Sequence, residues 1–343
     1  MKKTLLALAV MGALAGTASA QSNVTVYGVL DIALNVADNG ASANSRTISL
    51  DNGTQLPSRI GFKGVEDLGG GLSASFQLEN GFNSDSGAIT QTGRLFGRQA
   101  WVGLNGAFGS VKFGRQWAPL FLALAEIDPF EVGLAGDASL MFGSGTYPLR
   151  TDNTVNYSLP AMNGLTGQVS YILGETPGST SANRQYGVGL GYANGPINVQ
   201  FGYHNANSTN TTVAPATVAD AKHLLLGGVY DFGVVKAHLG YGDSTRDSTV
   251  AGSAVKDRNW MAGLSAPIGV GTLMFSYIRN NVRNVANADS TMLALGYSHA
   301  LSKRTSVYTS YSHTSNEANA AMGGAAANGN DTSLFNVGIR HKF

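Results

Sequence analysis

"INVQFGYHN", residues 197–205, decides the fold. Ile197, Val199, Phe201 and Tyr203 alternate with Asn198, Gln200, Gly202 and His204. Successive side chains on a strand point to opposite faces, so a period of two makes one apolar face and one polar face. A helix would need its apolar residues three and four apart. The alternation recurs along the chain. "NVTVYGVLDIALNV" (23–36) sets Val24, Val26, Leu30, Ile32, Leu34 and Val36 against Thr25, Tyr27, Asp31 and Asn35. "LTGQVSYIL" (165–173), "RQYGVGLGY" (184–192) and "VVKAHLGYGD" (234–243) repeat it. The chain closes on "SLFNVGIRHKF" (333–343), where Phe335, Val337, Ile339, His341 and Phe343 share one face.

The separators come in two alternating kinds. Short ones are "EDLGGG" (66–71), "NGAF" (105–108), "AMNG" (161–164), "NGP" (194–196), "DFG" (231–233), "PIGVG" (267–271) and "LSKR" (301–304). Asn-Gly and Gly-rich pairs supply the positive φ of tight hairpins. The long ones are polar: 38–54, 83–93, 118–149, 175–183, 205–221, 245–256, 282–290 and 315–332. Seven short turns and eight long loops make fifteen connections, hence sixteen strands in an up-and-down meander.

Alternation does not say which face is wet. Three features do. Charged residues are only 13% of the chain, whereas a soluble surface carries roughly a quarter to a third. Tyrosines 157, 171, 192, 203, 230, 241, 297 and 311 fall near strand ends, where interfacial girdles place them. A long meander also has two exposed edges, and in hydrocarbon each unpaired backbone group costs several kcal/mol. The sheet must therefore close, last strand on first. The expected fold is all-β: a closed antiparallel up-and-down transmembrane β-barrel of 16 strands over residues 21–343, apolar side out.

Lys2 and Lys3, the apolar stretch Leu5–Ala15 and the Ala18-Ser19-Ala20 cleavage pattern read as a signal peptide over 1–20. About a dozen apolar residues cannot span a bilayer as a helix. Without the two leader lysines, 20 basic residues face 21 acidic ones. That balance excludes a nucleic-acid partner, which needs a clear basic excess. There is no cysteine, hence no lipid attachment through one and no disulfide.

"QSNVTVYGVLDIAL" (21–34), "SRIGFKGVEDLGGGLSASFQLE" (58–79), "LFGRQAWVGLNGAFGSVKFGRQ" (95–116) and "NVGIRHKF" (336–343) together resemble the general porins of Gram-negative outer membranes, closest to the β-proteobacterial branch. The resemblance covers the whole mature chain. It implies a homotrimer in the outer membrane of a Gram-negative bacterium, a water-filled lumen, and passage of small hydrophilic solutes. It also implies contact with outer-membrane lipid and lipopolysaccharide, and recognition of the terminal Phe343 by the outer-membrane assembly machinery.

Loop 118–149 stands apart. Leu120, Leu124 and Ile127 have near-helical spacing, with Glu126, Asp128 and Glu131 among them. A loop of this length with its own amphipathic segment is usually functional. The resemblance implies that it folds into the lumen as a constriction loop whose acids face arginines. The order Asp128-Pro129-Phe130-Glu131 differs from the Pro-Glu-Phe of enterobacterial porins and leaves open which acid lines the gap. On the basic side, Ile60 and Phe62 point out, so Arg59 and Lys63 point in. Arg150 opens the strand after the loop. Arg98 shares parity with Ala100, Val102 and Leu104, which would aim it outward; the resemblance turns it inward. Four bases against three acids predict a weak anion preference and a field across the gap.

Enzyme chemistry is not expected. The six histidines form no H-x-H or H-x-x-x-H pair, "GVGLG" (187–191) lacks a third glycine and a following helix, and no G-x-S-x-G occurs. Neither a metal nor a cofactor is called for. A surface-display barrel would show charge runs or repeats in its loops, and these are lacking. A substrate-specific channel would show an aromatic track along the lumen, for which only Tyr27 and Trp101 are candidates.

Overall fold

The computed structural model describes residues 23–145, 147–210, 217–247 and 254–343; the expected leader lies outside them. Seventeen strand segments form one antiparallel sheet. They are β1 (Asn23–Asp38), β2 (Arg46–Asn52), β3 (Arg59–Gly69), β4 (Leu72–Gly81), β5 (Gln99–Gly106), β6 (Gly109–Trp117), β7 (Arg150–Ser158), β8 (Leu165–Ile172) and β9 (Gln185–Asn194). The second half is β10 (Ile197–Asn210), β11 (Thr217–Asp231), β12 (Lys236–Arg246), β13 (Val255–Ile268), β14 (Gly271–Val282), β15 (Ser290–Ala300), β16 (Thr305–Asn316) and β17 (Thr332–Lys342). Each segment pairs with its successor, except that β2 and β3 lie end to end against β1. Ile32–Asp38 pairs with β2, and Asn23–Val29 pairs with β3. The two are halves of one broken span, so the barrel has sixteen. The far edge of β1 pairs with β17 from Val29↔Lys342 to Asp38↔Ser333, which closes the ring.

The broken span corrects the sequence reading of 38–54 as one loop. Strand resumes at Arg46, and Ile48 and Leu50 carry the outward apolar face. Residues 53–58 form the break, opposite Leu30 and Asp31. Pro57 has no N–H to give a ladder, and Gly53 takes φ +69°, so pairing stops there. Asp31 organises the bulge. Its backbone N–H donates to Ser58 Oγ (2.9 Å), and its carboxylate accepts from the Leu56 N–H (2.8 Å) and the Tyr308 hydroxyl.

The closing seam involves the last residue. Gly28 N–H donates to the Phe343 carbonyl (3.0 Å), and Phe343 N–H donates to the Gly28 carbonyl (3.1 Å). A Cβ on Gly28 would lie 2.2 Å from the Phe343 ring and 2.7 Å from the Arg59 carbonyl oxygen. Gly28→Ala is therefore expected to overpack the seam by about 1–3 kcal/mol. The check is the temperature at which the folded, heat-modifiable band is lost on a gel; an unchanged temperature would refute it.

Residues 118–145 fold inside the barrel. Pro119 starts helix α1 (Pro119–Ile127) at a position where its missing N–H costs nothing. Leu120, Leu124 and Ile127 are fully buried, as their spacing predicts. They pack with Met141 and Phe142 on Leu225, Met261, Ile278 and Met292, which project inward from β11, β13, β14 and β15. The loop's tip continues along the wall. Phe130 and Leu134 join Ala33, Met274, Ala294 and Tyr308. The Leu134 N–H donates to the Thr54 carbonyl in the bulge (2.6 Å), and the Ala135 N–H donates to Ser310 Oγ (3.0 Å). The loop thus lines the wall from β9 round to β1 and meets the β3–β7 wall only at its start, where it leaves β6.

Candidate functional site

The β3–β7 wall carries the expected bases. Arg59 begins β3 with its parity inward, as predicted. Across it, β4 points Ser73, Ser75, Gln77 and Glu79 into the lumen. Glu79 gathers the site. It accepts from Arg98 Nε (2.7 Å) and from the Tyr27 hydroxyl (2.9 Å), and it lies 3.8 Å from Arg59 Nε. Arg98 is 2% exposed and lies over the Trp117 ring at 5.4 Å. Arg150 covers the same ring at 3.5 Å, and Phe121 of α1 stacks on it at 4.7 Å. Trp117 and Arg150 are register partners at the ends of β6 and β7. Arg59 and Arg98 thus share one carboxylate, and Arg98 and Arg150 share one indole.

The parity of Arg98 resolves simply. The β5 ladder begins at Gln99, so alternation does not reach Arg98. Its N–H donates to the Glu79 carbonyl (3.1 Å), which carries the side chain down onto the Glu79 carboxylate. Lys63 lies two residues below Gly61 on β3, with its Nζ 5.3 Å from the Tyr27 ring. Arg340 also points inward from β17, opposite Asp31 on β1. Sequence reasoning missed Glu79, Trp117 and Arg340. The signal for Glu79 was available: "SASFQLEN" (73–80) alternates with Phe76 and Leu78 on the lipid face.

The third-loop acids separate. Glu126 is exposed on the last turn of α1, where it accepts from Asn198 Nδ2 at 3.4 Å. Glu131 is exposed at the tip, within electrostatic reach of His238 and Lys342. Asp128, an expected pore-lining acid, is 2% exposed and faces into the loop instead. Its carboxylate accepts the N–H groups of Phe130 (3.1 Å), Val132 (2.9 Å) and Ala138 (3.1 Å). Those bonds hold Glu131 and Val132 at φ 53° and 52°, a left-handed conformation costly for any residue with a Cβ.

Burial, aided by the neighbouring Asp137, pushes the Asp128 carboxyl up from its ordinary 3.8 to about 7. The docked tip then holds a proton that a released tip gives up. Docking is strongest below pH 4, weakens as pH rises towards 7 and levels off above. Open-channel current noise is expected to rise from pH 4 to 7 in the wild type and to stay flat in Asp128→Asn. Equal slopes would refute the assignment.

A sixteen-span barrel, narrowed by an inward third loop facing a cluster of arginines, is a pore. Residues 7–319 match the family model for the Gram-negative porin. The chain belongs to that family. The porin is 35% identical to an outer membrane porin protein of Bordetella pertussis and 32% identical to outer membrane porin protein 32 of Delftia acidovorans, each match covering both chains entirely. Among solved structures, an anion-selective porin from Comamonas acidovorans superposes with a TM-score of 0.83 at 27% identity, over 94% of this chain and 100% of that one. The trimer form of OmpT from Vibrio cholerae shares the fold, with a TM-score of 0.69 at 18% identity over 94% of this chain and 99% of that one. This porin forms a channel through the outer membrane of a Gram-negative bacterium. Short turns place one end of the barrel in the periplasm and long loops place the other outside.

Proposed function

We propose an anion-preferring diffusion pore for small hydrophilic solutes, assembled as a trimer. The arrangement of Arg59, Arg98 and Arg150 round the single carboxylate of Glu79 carries the selectivity reading. Asp128 is buried inside the third loop, Asp137 is half-buried and accepts from the Ser139 N–H (2.8 Å), and Glu126 and Glu131 are the exposed acids of that loop. The basic wall is therefore under-neutralised where it faces the third loop. Low-dielectric walls keep its field from being screened as it would be in bulk water. The name of the Comamonas acidovorans porin agrees in sign. The test is the reversal potential of single channels in a potassium chloride gradient. A chloride-side potential is expected, and a potassium-side potential would overturn the reading.

The distribution of tyrosine supports the trimer. Tyr157, Tyr171, Tyr186, Tyr192, Tyr203, Tyr230, Tyr241, Tyr277, Tyr297 and Tyr311 take outward positions, all on β7–β16. Trp260 joins them on β13. Among the described residues the outward positions of β17 and β1–β6 hold no tyrosine or tryptophan, and Val, Leu, Ile and Phe supply their large apolar side chains. Tyrosine and tryptophan belong where a wall meets lipid headgroups, so the wall without them fits a neighbouring subunit. In a Trp260→Phe background, Leu264→Trp on β13 is expected to be quenched by brominated lipid and Leu104→Trp on β5 to be shielded. Equal quenching would refute the assignment.

A further inference from the structure

Two aromatic residues face the lumen on the basic wall below the arginines, and each carries a lysine. Trp101 of β5 has the Lys112 ammonium 4.4 Å above its ring, and Tyr27 of β1 has the Lys63 ammonium 5.3 Å from its ring. They form one tier. Lys63 is the register partner of Gln77, and Gln77 that of Trp101. The Gln77 amide donates to the Tyr27 hydroxyl (2.5 Å), and the Trp101 indole N–H donates to Gln99 Oε1 (3.0 Å). Glu79 stands two residues nearer the outside on β4, about 7 Å away at a strand's rise. Gly103 faces Lys112, and a Cβ there would lie 2.7 Å from the Val111 carbonyl oxygen and 2.9 Å from Lys112 Cγ, so a glycine leaves room for both the close strand and the lysine stem. Among the described residues neither Lys63 nor Lys112 is in an ion pair.

We propose that Trp101, Lys112, Tyr27 and Lys63 form a second solute station, on the periplasmic side of the arginines, that favours aromatic carboxylates. The proposal rests on the anion-preferring reading of the same lumen. A cation above an indole is attracted by the ring's negative face. An arriving carboxylate draws the Lys112 ammonium off the ring into a charge-assisted hydrogen bond. The ring is then bare. A solute with its own flat ring covers the indole again, so cation–π attraction is exchanged for stacking. An aliphatic carboxylate of the same bulk draws the lysine away and leaves the indole face less well covered. The station therefore discriminates by the body of the anion, whereas the arginine cluster discriminates by charge alone.

Benzoate and cyclohexanecarboxylate are the probes, matched in charge and size. Added on the periplasmic side of single channels, benzoate is expected to reduce the current at a concentration about three- to tenfold lower than cyclohexanecarboxylate, the range that one stacking contact supplies. Trp101→Leu removes the difference, Trp101→Phe keeps most of it, and Lys112→Gln weakens both acids. The wild-type comparison stands even if a variant fails to assemble. A pore that prefers potassium in the chloride gradient overturns the underlying reading. A pore that prefers chloride but is blocked equally by the two acids overturns the station alone.

Discussion

Replacing Arg59, Arg98 and Arg150 together by glutamine should turn the pore from anion-preferring to cation-preferring. A unit charge about 8 Å from an ion in water changes the ion's energy by about 0.5 kcal/mol, a factor of roughly two. Three such charges act in the same sense, and they act oppositely on chloride and potassium. The chloride-to-potassium permeability ratio is expected to fall by at least about tenfold, more where protein walls focus the field. Glu79 then remains as the charge in that tier, held by the Tyr27 hydroxyl. Glu79→Gln moves the ratio the other way and leaves Arg59 and Arg98 without their shared acid. Reversal potentials decide it. A triple variant with the wild-type ratio would show that selectivity is set elsewhere along the lumen.

Asp128→Ala should release the tip of the third loop. Three N–H groups lose their acceptor at once, those of Phe130, Val132 and Ala138. A buried donor left unpaired costs about 1–3 kcal/mol, so the loss is several kcal/mol in total. Strain adds to it, because Glu131, Val132 and Leu134 all hold left-handed φ angles that the bonds maintain. Helix α1 is expected to stay, since its buried face packs on the β9–β12 wall independently of Asp128. The variant should show larger and noisier conductance steps, and protease should cut near Phe130. Asp128→Asn should fall between, since its amide oxygen still accepts. Wild-type conductance with an intact loop in Asp128→Ala would rule out this role.

Much of the molecule could be read from residue order. Alternation is a local property of a ladder, so it aimed Arg59 and Lys63 inward without any knowledge of their neighbours. It failed at Arg98, because the β5 ladder starts one residue later. It also hid the broken second span, where Pro57 and the Asp31 carboxylate interrupt pairing in an otherwise strand-like stretch. The landing strip for the third loop was written as exceptions to the pattern. Leu225, Met261, Ile278 and Met292 are apolar at inward positions, which makes sense only once a loop packs on them.

The barrel itself followed from the sequence alone, because apolar side chains at every second position in lipid leave a closed sheet as the solution. The length and apolar rhythm of 118–149 likewise set that loop apart, and the resemblance to porins implied that it folds into the lumen. Only the folded structure decided which charges meet water. Asp128 and Glu131 are three residues apart, yet one is tied into the loop and the other stands at its tip. That difference depends on where Thr54, Ser310 and the β11–β15 wall hold the chain, and those contacts join residues far apart in sequence.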